Sequence, residues 1–261
     1  MRLTHRLHRL VNWSILRLAK CSRRQWLPSY FNHQWIKVAL PCWPGLYYRY
    51  EPYLAQELRK RLRPSSTFFD LGAHFGLWTL FAAKMVGPNG GVISCEASPS
   101  VFQKLTLSTA YYPWVKAFNY GVGATKGELE FYEQGLSSSG SFSHQVTAIN
   151  AQRNLDLPII KVPVQLWPID SLAAEYAIEP SVVKVDVEGY ELEVLRGGIN
   201  TLIRRVATWI VEVHPPQLRM FGGTEDELMA LFSSYHYYVS VIDRNPNSLY
   251  TFVAEPNHFG I

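Results

Sequence analysis

The sequence contains little cysteine and no long apolar segment. Only three of its 261 residues are cysteines, and no Cys-x-x-Cys pair or Cys/His group has the spacing of a zinc site. The sequence therefore does not predict a disulfide framework, and a reducing compartment, the cytoplasm, is favoured. The longest apolar stretches fall far short of the roughly 18 residues that a membrane-spanning helix needs. We therefore expect no transmembrane helix.

Acidic residues are absent from the first fifty positions, which carry nine lysines and arginines. The remaining chain holds 16 basic and 21 acidic residues. The net charge of +4 thus combines a basic N-terminal segment with a mildly acidic body. A nucleic-acid partner is not indicated, because the basic charge is not spread over the folded body.

The basic segment divides into two parts. Residues 1–24 have the periodicity of an amphipathic helix, with leucines on one face and arginines on another. Such a helix binds an anionic membrane surface or a partner, packs on its own domain, or serves as a mitochondrial presequence. Residues 25–50 are rich in Trp, Tyr and Pro and predict an irregular linker or a cover over the substrate. We predict a basic extension over residues 1–50 and one α/β domain over residues 51–261.

From residue 51 onward, short apolar runs alternate with helical patterns. This order predicts a doubly wound sheet that is mostly parallel, with helices on both faces. The predicted strands cover residues 67–71, 91–95, 115–120, 128–132, 160–166, 181–187 and 208–213, and a hairpin over residues 237–254 turns at residues 245–247. The predicted helices cover residues 51–62, 77–86, 100–110, 190–197 and 225–232.

A glycine-rich turn, Asp70-Leu71-Gly72-Ala73-His74-Phe75-Gly76, joins the first predicted strand to its helix. Gly72 permits a close backbone approach, and the helix start supplies free N–H groups to a ligand. The two glycines are not spaced as in the dinucleotide fingerprint. The turn therefore predicts a nucleoside with a charged amino-acid tail, and a tight turn without a ligand is the alternative. Glu96, at the end of the next strand, is placed to accept both ribose hydroxyls.

Acidic residues also follow two later strands. Asp186 and Glu188 lie just past one strand, and Glu212 and His214 lie at the end of the next. Because open α/β sheets bind ligands at the carboxyl ends of their strands, we expect these side chains around one site. His214 or a carboxylate then serves as general base. Mg²⁺ held by Asp186 and Glu212 is an alternative, but no third ligand is visible, and we predict no metal site.

Other residues near this edge have simpler interpretations. Lys184 is interpreted as a charge at a strand end whose stem covers apolar surface. Glu191 and Glu193 are interpreted as a solvated helix face. The tyrosines at positions 47, 48, 50 and 53 are core aromatics or a lid on which a sugar stacks.

Together, these segments resemble the FkbM family of S-adenosylmethionine-dependent methyltransferases over about residues 46–255. The Lys-x-Asp-x-Glu-Gly block is the most specific of them, whereas the glycine turn has counterparts in all class I methyltransferases. The matching segments are residues 69–76, 79–80, 95–96, 119–123 with Gly127 and Phe131, 184–191 with 194–195 and Gly197, and 211–214.

The resemblance implies a Rossmann-like, seven-stranded sheet whose last strand is antiparallel, and S-adenosylmethionine as the cofactor. It implies that the cofactor lies over the glycine turn and that the acceptor is a hydroxyl of a sugar, glycolipid or secondary metabolite. A non-catalytic nucleoside-binding or interaction domain on the same scaffold is the alternative. The implied cofactor residues are Asp70, Gly72, Ala73, His74 and Gly76 at the turn, Glu96 and Ala97 at the ribose, and Asn119 and Tyr120 at the adenine.

The chain departs from the family pattern at two of these positions. His74 stands where the family usually has Asn, and Ala97 stands where Pro is common. Neither change removes the backbone groups or Glu96, so we still expect cofactor binding. For catalysis we predict that Asp186, Glu188 and His214 surround the acceptor hydroxyl.

Overall fold

The computed structural model describes residues 25–39, 42, 50–135, 140–150, 157–244 and 249–257. Several predicted features lie outside these residues: the basic helix over residues 1–24, the tyrosines at positions 47 and 48, and the hairpin turn at residues 245–247. The membrane or partner contact of residues 1–24 therefore stays a prediction. No helix in the described part of the chain is long and apolar enough to cross a bilayer.

Twelve strands and nine helices occupy the described residues. The strands are β1 (Trp26–Phe31), β2 (Gln34–Ala39), β3 (Thr67–Leu71), β4 (Gly91–Cys95), β5 (Val115–Phe118), β6 (Tyr120–Val122), β7 (Gly127–Glu133), β8 (Ile160–Trp167), β9 (Val182–Val185), β10 (Thr208–Val213), β11 (Tyr237–Arg244) and β12 (Tyr250–Pro256). The helices are α1 (Pro52–Arg61), α2 (Leu77–Val86), α3 (Pro99–Thr109), α4 (His144–Asn150), α5 (Ile169–Tyr176), α6 (Glu191–Arg196), α7 (Ile199–Arg204), α8 (Pro215–Met220) and α9 (Glu225–Ser234).

Seven strands form one mostly parallel sheet in the order β11-β12-β10-β9-β3-β4-β5. The five strands from β10 to β5 are parallel to one another. Strand β12 lies between β11 and β10 and is antiparallel to both. The central strands are continuous apolar runs because helices cover both faces of a parallel sheet. The predicted seven-stranded sheet with an antiparallel last strand is confirmed.

The two faces of the sheet bury separate cores. On one face, Phe69, Val183 and Trp209 pack with residues of α5, α6 and α9. On the other face, Phe68, Val182 and other residues pack with α1, α2 and the β1–β2 hairpin. Side chains alternate between faces along a strand. On each central strand, the residues that face the second core are apolar at first. Towards the carboxyl end of the strand, the residues on that same face are polar.

The hairpin formed by β1 and β2 corrects the prediction of an irregular linker over residues 25–50. Phe31 is fully buried, and its ring centroid lies 5.2 Å from that of Trp78 and 6.0 Å from that of Phe81. The Lys37 N–H donates to the Tyr112 hydroxyl at 3.0 Å. The hairpin therefore shares a core with the sheet, although its high Trp, Tyr and Pro content concealed the strand pattern.

The predicted strand over residues 115–120 is interrupted, which is a second correction. Strand β5 ends at Phe118, and β6 pairs instead with β8 in a separate sheet of order β6-β8-β7. The interruption falls at Asn119, whose side chain donates to the backbone oxygens of Glu96 at 2.8 Å and Ala97 at 2.9 Å. The short helices α4, α5, α7 and α8 carry too few turns for a periodic pattern and were not predicted.

We predict that Phe31→Ala lowers the free energy of unfolding by about 3–5 kcal/mol, because it opens a cavity in a shared core. Trp35→Ala is the control, since Trp35 is on the same hairpin but 61% exposed. We expect that change to cost about 1 kcal/mol or less. Urea unfolding followed by circular dichroism measures both. Equal, small losses would show that the hairpin does not belong to the cooperative core.

Candidate active site

A buried lysine lies at the centre of the carboxyl edge of the sheet. The Lys184 ammonium is 3.4 Å from Asp70 Oδ1 and 3.2 Å from Asp186 Oδ2, and it donates to the Gly72 carbonyl at 3.4 Å. Burial opposes its charge, but Asp186 and Asp70 outweigh burial and raise the pKa of Lys184 above its usual range. Lys184 is therefore an internal cation and not the snorkelling charge inferred from sequence. A lone lysine in an otherwise all-valine strand was the available signal.

Asp70 connects three elements of the fold. Its side chain is fully buried, and the Thr79 hydroxyl on α2 donates to its Oδ2 at 2.6 Å. Its other oxygen faces Lys184 on β9. Burial raises the pKa of Asp70. Both oxygens face protein groups, so Asp70 supports the glycine turn through β3, and its predicted contact with a cofactor stays a prediction.

The glycine turn lies directly against the end of β9. Gly72 has φ +79°, and a Cβ atom there would lie 1.8 Å from the Asp186 carbonyl oxygen. Only glycine fits this approach. Gly76 precedes α2 with φ +84°, and His74 has φ +51°. Asn adopts this left-handed conformation more readily than most residues, which agrees with the Asn that the resemblance places at position 74.

Glu96 faces the glycine turn from the end of β4. Its Oε2 accepts the His74 N–H at 2.8 Å, and its Oε1 accepts the Ser98 N–H at 2.9 Å. Burial raises the pKa of Glu96 to about 7. A carboxylate offers about four lone-pair sites, so each oxygen retains capacity for one more hydroxyl. This geometry suits a group that receives two neighbouring ribose hydroxyls.

The structure arranges the two residues predicted at the adenine in different ways. Asn119 ties the end of β5 to Glu96 and Ala97 through the side-chain bonds described above. The Tyr120 ring stacks on Phe118 at 5.3 Å and on Trp167 at 5.1 Å. Asn119 is therefore close to the Glu96 site, whereas Tyr120 belongs to an aromatic stack. Their contacts with a nucleoside stay predictions.

His214 brings the predicted catalytic residues together. Its Nε2 lies 3.5 Å from Glu188 Oε2 and 4.0 Å from Asp186 Oδ1, and its Nδ1 lies 2.8 Å from Glu191 Oε1. Burial disfavours its charge, but the hydrogen bond to Glu191 and the charge of Glu188 raise the pKa of His214 to about 10. A raised pKa favours the protonated ring, which makes the carboxylates the better placed bases, and the role of His214 as general base stays a prediction.

Two further acids face the same edge. The charge of Asp186, followed by burial, raises the pKa of Glu212 to about 8. Burial also raises the pKa of Glu51, whose Oε2 accepts the Trp78 indole N–H at 3.1 Å. Glu51, Glu212 and Lys184 line a narrow cavity between α1 and the sheet. The sequence pattern did not identify Glu51, because an acid just before a Pro-led helix is also typical of a helix start.

Asp186, Glu188 and His214 hold donor atoms within 4.8 Å of one another, a spacing that suits a divalent cation. Two basic groups also face these carboxylates, because Lys184 contacts Asp186 and His214 lies beside Glu188. The alternative of Mg²⁺ on Asp186 and Glu212 stays a hypothesis.

We predict that Lys184→Met destabilises the fold by about 3–5 kcal/mol, because it leaves buried carboxylates unpaired. The double variant Asp70→Asn with Lys184→Met removes one of those charges and should recover a measurable part of the loss. Denaturant unfolding of the two single variants and the double variant gives the coupling energy. Additive losses in the double variant would contradict a direct interaction between Lys184 and Asp70.

A model of the methyltransferase FkbM domain matches residues 70–239 of the chain. The chain is also similar to the hexuronic acid methyltransferase AglP of Haloferax volcanii, with 28% identity over 159 residues. The aligned part is 60% of this chain and 59% of that protein. The chain thus spans less than two thirds of the length of this curated relative.

Among solved structures, the chain is similar to the methyltransferase FkbM from Methylobacillus flagellatus, with a TM-score of 0.46 and 15% identity. That match covers 77% of this chain and 50% of the other. The chain is also similar to Aeropyrum pernix fibrillarin in complex with natively bound S-adenosyl-L-methionine. There the TM-score is 0.45, the identity is 11%, and the match covers 85% of this chain and 90% of the other.

Proposed function

The chain belongs to the FkbM methyltransferase family, and we propose that it transfers the methyl group of S-adenosylmethionine to a hydroxyl oxygen of a sugar-containing acceptor. The observation that carries this proposal is the contact of the Gly72 backbone with Asp186. This contact supports a cofactor bound over the turn, directly beside the carboxylates. A ligand over the turn would therefore present its reactive end to Asp186 and Glu188.

Different residues would bind different parts of the cofactor. The turn from Gly72 to Gly76 would bind the amino-acid tail, and Glu96 would receive the ribose hydroxyls. The carboxylates of Asp186 and Glu188 lie beyond the turn, where they attract a cationic sulfonium. Asn119 would border the adenine from the end of β5. The close packing of the turn and the lone pairs left on Glu96 support this placement.

The chemical step is an in-line displacement at the methyl carbon. The carbon–sulfur bond breaks and its electron pair stays on sulfur, while a carbon–oxygen bond forms and the acceptor hydroxyl loses its proton. Asp186 or Glu188 takes that proton, because the His214 ring already carries one. Alignment of oxygen, carbon and sulfur supplies up to about 7–11 kcal/mol, and a general base adds roughly 10²–10⁴-fold. Positioning is therefore the larger contribution.

The charges at the edge favour an uncharged acceptor. Asp186, Glu188 and Glu212 lie together there, and the Lys184 ammonium that contacts Asp186 is also held by Asp70 and the Gly72 carbonyl. An acceptor with its own carboxylate would meet repulsion from the carboxylates of Asp186 and Glu188. The relative AglP is named for a hexuronic acid, which supports a sugar as the acceptor class. For this chain we propose a neutral sugar hydroxyl.

Calorimetric titration with S-adenosylmethionine tests the cofactor assignment, with NAD as the control ligand. We predict micromolar binding that Glu96→Gln weakens about tenfold or more, because the amide accepts fewer hydroxyl hydrogen bonds. Glu128→Gln, an exposed position on β7, should leave the affinity unchanged. Since the pKa of Glu96 is about 7, wild-type binding should strengthen from pH 6 to pH 8, and Glu96→Gln should not show this change. No binding to folded protein would contradict the proposal.

Transfer of a labelled methyl group to a panel of methyl glycosides tests the acceptor and the base. We predict faster transfer to hexosides and 6-deoxyhexosides than to hexuronosides, because of the acids around the site. At least one of Asp186→Asn and Glu188→Gln should lower kcat by about 10²–10⁴-fold. Glu193→Gln, at a surface position, is the control. Protein that binds the cofactor but methylates no glycoside would favour the non-catalytic alternative.

A further inference from the structure

Glu191 is buried where the sequence pattern indicated a solvated helix face. It is the first residue of α6 and has no exposed surface. Glu193, two residues later, keeps a side chain that is 27% exposed and forms an ion pair with Arg196. Burial of a carboxylate is costly unless it is paired and hydrogen-bonded. The contacts of Glu191 therefore indicate why this position holds an acid.

One oxygen of Glu191 makes two close contacts. Its Oε1 accepts the Gly189 N–H at 2.9 Å and lies 2.8 Å from Nδ1 of the buried His214. Its Oε2 has no hydrogen-bond partner among the described residues. A carboxylate with one unpaired oxygen is a poor choice for core packing, because the unpaired oxygen adds an uncompensated desolvation penalty. A role in orienting His214 accounts for a buried acid at this position.

The bond to Nδ1 determines where the other ring nitrogen points. With Nδ1 held by Glu191, Nε2 faces Glu188 Oε2 and Asp186 Oδ1 across 3.5 and 4.0 Å. These contacts form a continuous line from the start of α6 to the edge of the sheet. Carboxylates lie at both ring nitrogens, and each of them favours an N–H at the nitrogen that it faces.

We infer that Glu191 is a positioning residue, which holds His214 as a cation with its Nε2 hydrogen directed at Glu188 and Asp186. The cation in turn favours the ionised form of Asp186 and holds both carboxylates in place beside the acceptor hydroxyl. This purpose rests on the proposed function. The orientation of the ring does not, because it follows from contacts within the chain.

The acidic groups around His214 all act in the same direction. Glu191 contacts it from α6, Asp186 and Glu188 face it from the segment after β9, and Glu212 lies two residues before it on β10. The hydrogen bond to Glu191 is the largest of the effects that raise the pKa of His214. Loss of the Glu191 charge alone should therefore change the protonation of the ring more than any change on the outer surface of α6.

Histidine ring nitrogens observed by long-range proton–nitrogen NMR test this inference. The sample is the full chain labelled with ¹⁵N-histidine, and His214→Gln assigns the signal among the eight histidines. In the wild type we expect His214 to stay doubly protonated at pH 8. In Glu191→Gln we expect its pKa to fall by about one unit or more. Glu193→Gln is the matched control on the same helix and should leave the titration unchanged.

Three outcomes would overturn the inference. The first is a neutral His214 in the wild type at pH 7, which decides the matter even if Glu191→Gln does not fold. The second is a Glu191→Gln variant with a lower melting temperature but an unchanged His214 titration, because that shows a packing role only. The third is an equal shift in Glu193→Gln, because that shows a general charge effect.

Calorimetry on the same samples separates this inference from the proposed function. We expect Glu191→Gln to bind S-adenosylmethionine within about twofold of the wild type, since Glu191 contacts neither the glycine turn nor Glu96. A wild type that does not bind S-adenosylmethionine would contradict the methyltransferase proposal and leave the NMR result standing. A tenfold loss of affinity seen only in Glu191→Gln would overturn the inference that Glu191 acts only through His214.

Discussion

The ion pairs of Lys184 are the interaction on which the rest of the site depends. Burial of an ammonium costs several kcal/mol, whereas one carboxylate at 4 Å returns about 4 kcal/mol at an effective dielectric of 20. One partner is therefore barely sufficient, and Lys184 has two, Asp70 and Asp186. The same ammonium also donates to the Gly72 carbonyl. The lysine thus joins the glycine turn to the carboxylates, which are the parts of the site proposed to bind the methyl donor and its acceptor.

The charge of Asp186, which Lys184 stabilises, changes the pKa values of the neighbouring side chains. The charges of Lys184 and His214 outweigh burial and keep the pKa of Asp186 below its usual range. The resulting negative charge is the largest influence on Glu212, whose pKa rises to about 8. The charge of one ionised carboxylate therefore favours the protonated form of a neighbouring acid near neutral pH and favours the cationic form of a histidine. The proton distribution of the edge is a collective property and not a set of independent pKa values.

The sequence was sufficient to predict the parallel sheet, because its central strands are apolar runs flanked by glycine turns and acids. It was also sufficient to predict that Asp186, Glu188 and His214 converge, since carboxyl ends of parallel strands share an edge. The hairpin of β1 and β2 was missed, because aromatic and proline residues in its sequence resemble a loop. The burial of Glu191 was missed for another reason. Whether a first-turn acid faces solvent or a histidine 23 residues further along the chain depends on tertiary packing.

The division of the sheet into two faces explains why the site forms where it does. On β9, Val183 and Val185 point into one core, while Val182 points into the other and Lys184 continues that second row. On β10, Trp209 and Val211 face the first core, and Ile210 begins the row that reaches Glu212. The row that faces the first core is apolar to the end of each strand. The row that faces the second core becomes polar within the last residues of the strand. The period of two that builds the hydrophobic core therefore also aligns Asp70, Lys184 and Glu212 on one face. A shift of one residue in the register of β9 would bury the carboxylates in the opposite core, so the core packing that fixes the register also holds these carboxylates in place.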